Sequence, residues 1–284
     1  MATTASDLAA GAKAMVANAR YTYEHRTLMT QLATTMKLGQ GNKSQYIPKF
    51  GTVTANDLTD GVDMTEDQAL TVTGTTHTTD EAGCKVIITK KLRNQLTEDA
   101  YKASGKVIGN AMAKKIDQDG LALFSGLDTT LGAAGSTFAV ARLQAAVTQC
   151  FGQGEPVPEP LYCVLHPYTY HDIVTDLSVP GSSNIPPNVQ EEVLRSYWRG
   201  SDKLYNVPVF ACGNITIDTA DDAYGAVFSK LAFIYLVGHE PENWVEEDGS
   251  LRGWELGIVA DYAFVEEDGT YGRALLYDAS APTS

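Results

Sequence analysis

Four cysteines and five histidines are the side chains with which this sequence could carry out nucleophilic or metal chemistry. Cys84, Cys150, Cys163 and Cys212 are scattered at spacings that fit neither a disulfide framework nor paired CxxC zinc knuckles. Cys150, Cys163, His166 and His171 could meet around zinc or form a thiolate–imidazole pair, which would make the chain a cytosolic metal-dependent or thiol enzyme. His166, however, precedes Pro167 directly after an apolar run, a position suited to structure, and the thiols read as small buried hydrophobes. His239 beside Glu240 has no evident partner. DQDG at 117–120 begins like a calcium loop, but phased on Asp117 it would need glycine at Ala122 and glutamate at Asp128, so it reads as helix surface near a helix end. VEEDG occurs twice, at 245–249 and 265–269, without a third anchoring ligand. Both copies read as tight hairpin turns in an antiparallel sheet, with Asp-Gly supplying positive φ.

The familiar signatures of phosphate loops, dinucleotide sites, zinc proteases and serine hydrolases are missing. No residue is assigned a catalytic, cofactor-binding or metal-ligating role, no cofactor is expected, and the chain is not expected to be an enzyme. Asn42 and Asn214 fit the glycosylation pattern, but the N-terminus does not read as a secretory signal, so synthesis in a reducing cytoplasm is expected.

The elements that must carry these residues differ along the chain. From Ala5 to about Lys37, Leu8, Ala12, Met15, Ala19 and Tyr23 recur at helical spacing behind a capping Ser6, giving a narrow Ala-rich stripe that needs another surface. Residues 39–51, with three glycines and Pro48, read as a hinge. Residues 69–79 are dense in β-branched side chains and 84–90 alternate, so with DEAG at 80–83 as the turn they read as a long β-hairpin. Such a ribbon cannot stand alone in water. A long helix is expected over 91–124, with Leu96, Ala100, Ala103, Val107 and Ala111 as its stripe and Gly105 and Gly109 on one face. After a Gly- and Thr-rich connection at 125–136 come a helix (139–151), a strand (161–165), a helix (167–176), an irregular loop (178–188), a helix (189–199) and a strand (207–211). This order indicates an α/β lobe, and from Ala223 the chain turns β-rich.

The 284 residues carry a net charge of −14, which argues against a protein that coats nucleic acid. The charge alternates along the chain: +4 over 1–50, −7 over 51–84, +4 over 85–119 and −15 thereafter, a pattern that could seat arms of one subunit on another. The longest wholly apolar stretch lies within Leu231–Val237, too short to span a membrane.

Basic arm, long hairpin, rod-like helix, α/β lobe and returning strands, in that order, resemble the HK97-like (Hong Kong 97) fold of tailed-bacteriophage major capsid proteins. The phrases that carry the resemblance are AMAKKIDQDGLALF at 111–124, YCVLHPYTYHDIV at 162–174, NVPVFACGNI at 206–215 and ELGIVADYAFVEEDGTYGRALLY at 255–277. The resemblance implies an α+β fold with an N-terminal arm (1–45), an extended β-hairpin loop (46–90), a peripheral domain (91–137 with its spine helix, and 223–284) and an axial domain (138–222). It implies a subunit that self-assembles into pentamers and hexamers of an icosahedral head, enclosing double-stranded DNA without sequence-specific binding. A separate scaffolding protein, a portal and a decoration protein are the implied partners, with no membrane. The expected location is the virion, after synthesis in the host bacterial cytoplasm. An encapsulin-type nanocompartment shell is the same-fold alternative. Some relatives crosslink an extended-loop lysine to a neighbour; Lys49 and Lys85 lie in the comparable region, and that role is assigned to neither.

Overall fold

The computed structural model describes residues 28–39, 41–64, 67–90, 98–178 and 203–282. In chain order its elements are α1 (Met29–Leu32), β1 (Thr34–Lys37), β2 (Ser44–Phe50), β3 (Val72–Thr78), β4 (Asp80–Thr89), α2 (Glu98–Ala122), β5 (Thr130–Gly132), α3 (Val140–Phe151), β6 (Leu161–Leu165), α4 (Pro167–Ser178), β7 (Val209–Ala211), β8 (Asp222–Ser229), β9 (Phe233–Asp248), β10 (Gly253–Glu266) and β11 (Gly272–Asp278). They form a four-stranded sheet, β1-β9-β10-β4, a five-stranded sheet, β5-β11-β8-β6-β7, and a two-stranded ribbon, β2-β3.

The spine helix α2 lies on the four-stranded sheet. Ile108, Met112 and Ile116, each one turn apart, meet Ile88, Leu256 and Ile258 in one buried cluster that reaches Phe124, Phe228 and Phe233. Large side chains therefore set the buried face, and two of the residues of the expected stripe lie off it: Val107 is exposed, as is Ala111. Gly120 lets α1 approach, since a Cβ there would stand 2.8 Å from the Cβ of Met29. On the five-stranded sheet, alternation divides the side chains: Cys163, Leu165, Val227 and Tyr277 face α3 and α4, whereas Val164, Ala226 and Phe228 face the spine-helix cluster. The N-terminus of α3 has no cap of its own; Asp176 of α4 accepts from Val140 N–H at 2.9 Å.

Several expectations need correction. The hairpin over 69–90 does not form: β3 pairs with β2, while β4 pairs along its whole length with β10. The chain passes from ribbon to sheet at Thr79. DEAG at 80–83 is strand, and its glycine serves close approach, since a Cβ on Gly83 would lie 2.8 Å from the carbonyl oxygen of Ile258. Of the expected hinge at 39–51, residues 44–50 are the ribbon's first strand. The helix expected to Lys37 ends at Leu32, and Thr34–Lys37 pair in parallel with 234–237; residues 1–27 lie outside the described residues. So do 91–97, the helix at 189–199 and all but the first residue of the loop at 178–188.

The first VEEDG ends β9 and opens the hairpin turn to β10, but the positive φ falls on Arg252, at 50°, while Asp248 accepts from Ser250 and Leu251 N–H. The second caps a short 3₁₀ turn, Gly269–Tyr271, through Asp268, and leads from one sheet to the other. The returning segment 223–284 is likewise shared: β9 and β10 belong to the four-stranded sheet, β8 and β11 to the centre of the five-stranded one. Beyond Val237, β9 has β10 on one side and no strand on the other among the described residues, and Pro241 lies on that stretch.

Candidate assembly surfaces

The β2-β3 ribbon shows why its sequence cannot stand alone. Its connection, residues 51–71, closes through Gly51 N–H to Thr71 O at 2.8 Å, and the Gln68 amide clasps both backbone groups of Thr54. Phe50, Val53, Leu58, Val62, Met64 and Leu70 are all more than half exposed along this stretch. Six large apolar side chains on one projection form the kind of surface that protein partners cover. The same stretch carries Asp57, Asp60, Asp63, Glu66 and Asp67 and no base, so a cationic surface would complement it.

The paired strands of the ribbon rest on the body. Ile47 is buried against Ile234 and Val265, and Lys49 reaches Asp268 at 2.5 Å. Asp268 also accepts from the backbone N–H and hydroxyl of Thr270. Burial pushes the Asp268 carboxyl up, but the bonds from Lys49 and Thr270 outweigh it and hold the group below its ordinary range. Glu266 and Glu267 are pushed up, by burial first and by neighbouring carboxylates second. Lys49 is thus a structural cation over an acidic cluster. Lys85 pairs with Glu255 at 2.9 Å on the four-stranded sheet.

Asp117, expected on the helix surface, is buried and gathers three parts of the chain. One carboxylate oxygen accepts from Leu28 and Met29 N–H at 2.8 and 2.9 Å, supplying the cap that α1 lacks. The other accepts from the Asn214 amide at 2.9 Å and the Cys212 thiol at 3.3 Å. Its position, four residues after the buried Ala113 and beside Ile116, is the signal that would have placed it inward.

Among the described residues the thiols and imidazoles do not converge. Cys163 sits in the cluster beneath α3 and α4, with burial raising its pKa. His166 accepts Tyr168 N–H at its own helix start, and burial lowers its pKa. Cys212 is pushed up to about 12, chiefly by burial. Cys150 is buried and Cys84 half-buried; all four thiols are free. A hollow of about 570 Å³ near the end of α3 is lined by Phe151, Tyr162, Lys203 and Tyr205 among others, and by neither Cys163 nor His166. His171 is on α4, where its carbonyl accepts from the Thr175 hydroxyl. No helix among the described residues is long and apolar enough to cross a membrane.

No protein-family model and no curated protein matches the chain. The likeness lies in solved structures. A chain of the cyanophage P-SCSP1u capsid superposes with a TM-score of 0.68 at 16% identity, covering 89% of each chain. A chain of Mycobacterium phage Che8 gives 0.69 at 15%, covering 88% of this chain and 90% of the other. A chain of the virus-like particle from Pyrococcus furiosus gives 0.58 at 9%, covering 92% and 97%. The chain has the HK97-like capsid fold, an α+β architecture, over nearly its whole length.

Proposed function

We propose that this chain is a major capsid protein, a structural subunit that self-assembles into pentamers and hexamers of an icosahedral head enclosing double-stranded DNA. The observation that carries the reading is the ribbon, seated on its own subunit through Ile47 and Lys49 and exposing six large apolar side chains beyond them. Such a projection suits the body of a neighbour, and repeated modest contacts of this kind close a shell. The four-stranded sheet with α2 would form the peripheral domain and the five-stranded sheet with α3 and α4 the axial domain. A scaffolding protein, a portal and a decoration protein are the further partners this reading implies, and binding and self-association replace covalent catalysis in its mechanism.

Electron microscopy and sedimentation of the purified protein test it: discrete shells or capsomers are expected, and a compact monomer or dimer would refute it. Replacing residues 52–70 by a two-residue turn should leave a folded subunit that forms no stable shell. The encapsulin-type alternative draws on the likeness to the Pyrococcus furiosus particle. Nucleic acid inside native particles favours the phage head; a protein cargo favours the nanocompartment.

A further inference from the structure

The four-stranded sheet has one face on α2; on the other, Ile47 of the ribbon covers Ile234 and Val265, and the stretch beyond them carries no element among the described residues. Register places Trp244 opposite Gly257 and Lys85, Glu242 opposite Val259 and Gly83, and His239 opposite Asp261 and Glu81, all on this uncovered stretch. Trp244 lies flat on Gly257, where a Cβ would come within 2.6 Å of the indole. Beside it is a hollow of about 360 Å³ lined by Glu81, His239, Glu242, Trp244, Val259 and Asp261. An indole and a valine form its apolar part and three carboxylates rim it, with the His239 imidazole 3.6 Å from Glu242. This combination matches a guanidinium, which stacks on an indole and forks to carboxylates; an ammonium does the second without the first.

The ribbon tip cannot fill it, because five acids and no base would meet three further carboxylates. Residues 1–27 can: they hold Lys13, Arg20 and Arg26 against Asp7 and Glu24. A chain's own segment starts on the wrong side, since Leu28 is bonded to Asp117 of α2 on the opposite face of this sheet. Fully extended, 27 residues reach at most ~90 Å, ample for a neighbouring subunit. We propose that this hollow receives an arginine side chain from residues 1–27 of a second copy. The inference rests on the shell reading and adds to it the place where the N-terminal segment docks.

The test is photocrosslinking in assembled particles built from isotopically light and heavy chains, with p-benzoylphenylalanine introduced at the exposed His239. Crosslinks from the hollow to residues 1–27 of the other isotope are expected. Crosslinks to another segment, crosslinks confined to one chain, or no crosslink in intact particles would each overturn the docking while leaving the shell reading standing. A natural chain that forms no particle removes both. A second measurement avoids the bulky probe: E242Q/D261N and R20Q/R26Q should each lower the yield of intact particles in high salt by roughly tenfold, and the four changes together by no more than either pair. Independent, multiplying losses would refute the contact.

Discussion

Asp117 is the side chain on which most of the local order depends. Asp117→Ala would leave two backbone N–H groups, an amide and a thiol without their acceptor in a buried site. The expected loss is about 3 kcal/mol of subunit stability, read from denaturant midpoints, with Asp117→Asn losing less because one acceptor oxygen is kept. Cys212 makes a pH prediction. Its thiol ionises in the unfolded chain near the ordinary value of 9.0, whereas in the fold it holds its proton up to about 12. Its contribution is therefore complete below pH 9 and is lost as pH rises through that window. Thermal melts should fall across it, and Cys212→Ala should flatten the fall; a pH response identical to the natural chain would remove the thiol from the account.

At the scale of elements, the ribbon is joined to the body by a small seat and one ion pair. Lys49 is half exposed, so Lys49→Met should cost the subunit less than ~1 kcal/mol in unfolding. Amide exchange over 44–50 should nevertheless rise, because Asp268 loses the cation that holds this strand to the 3₁₀ turn. Unchanged exchange would show that Ile47 alone seats the ribbon. Periodicity made the helices α3 and α4 legible from sequence, since each buries one clear face, and short apolar runs marked the strands β6, β8, β9 and β10, of which β6 and β8 are buried on both faces. It failed where the partner was remote. Residues 72–78 and 80–89 look like two halves of one hairpin, and nothing local reveals that one pairs with 44–50 and the other with 253–262. Of the candidate surfaces, the sequence marks 72–78 as a strand in need of a partner surface, but its local pattern assigns that need to a hairpin with 84–90 and makes the ribbon's first strand, 44–50, read as part of a hinge. The partners of Asp117 and the Trp244 hollow were not readable, because both depend on residues more than ten positions away.

For the whole molecule, the chain's path binds the two sheets into one unit. It enters the five-stranded sheet at β5, leaves after β8 for the long β9-β10 pair, and returns as β11 between β5 and β8. A fragment of residues 138–222 would lack both β8 beyond its first residue and β11, the sheet's central strands. It should remain unfolded by circular dichroism and proton NMR despite its helices, and a folded fragment would make the α/β lobe an independent domain.

The same long β9 bears on a hazard that any chain concentrated into a shell must meet. Past Val237 its outer backbone groups face no strand among the described residues, and the stretch carries Pro241 with Glu240, Glu242, Glu246, Glu247 and Asp248. Proline cannot donate to an added strand, and like charges oppose edge-to-edge pairing. Edge-to-edge fibre growth along this rim is thereby opposed, which in the proposed shell would leave assembly to surfaces that close on themselves.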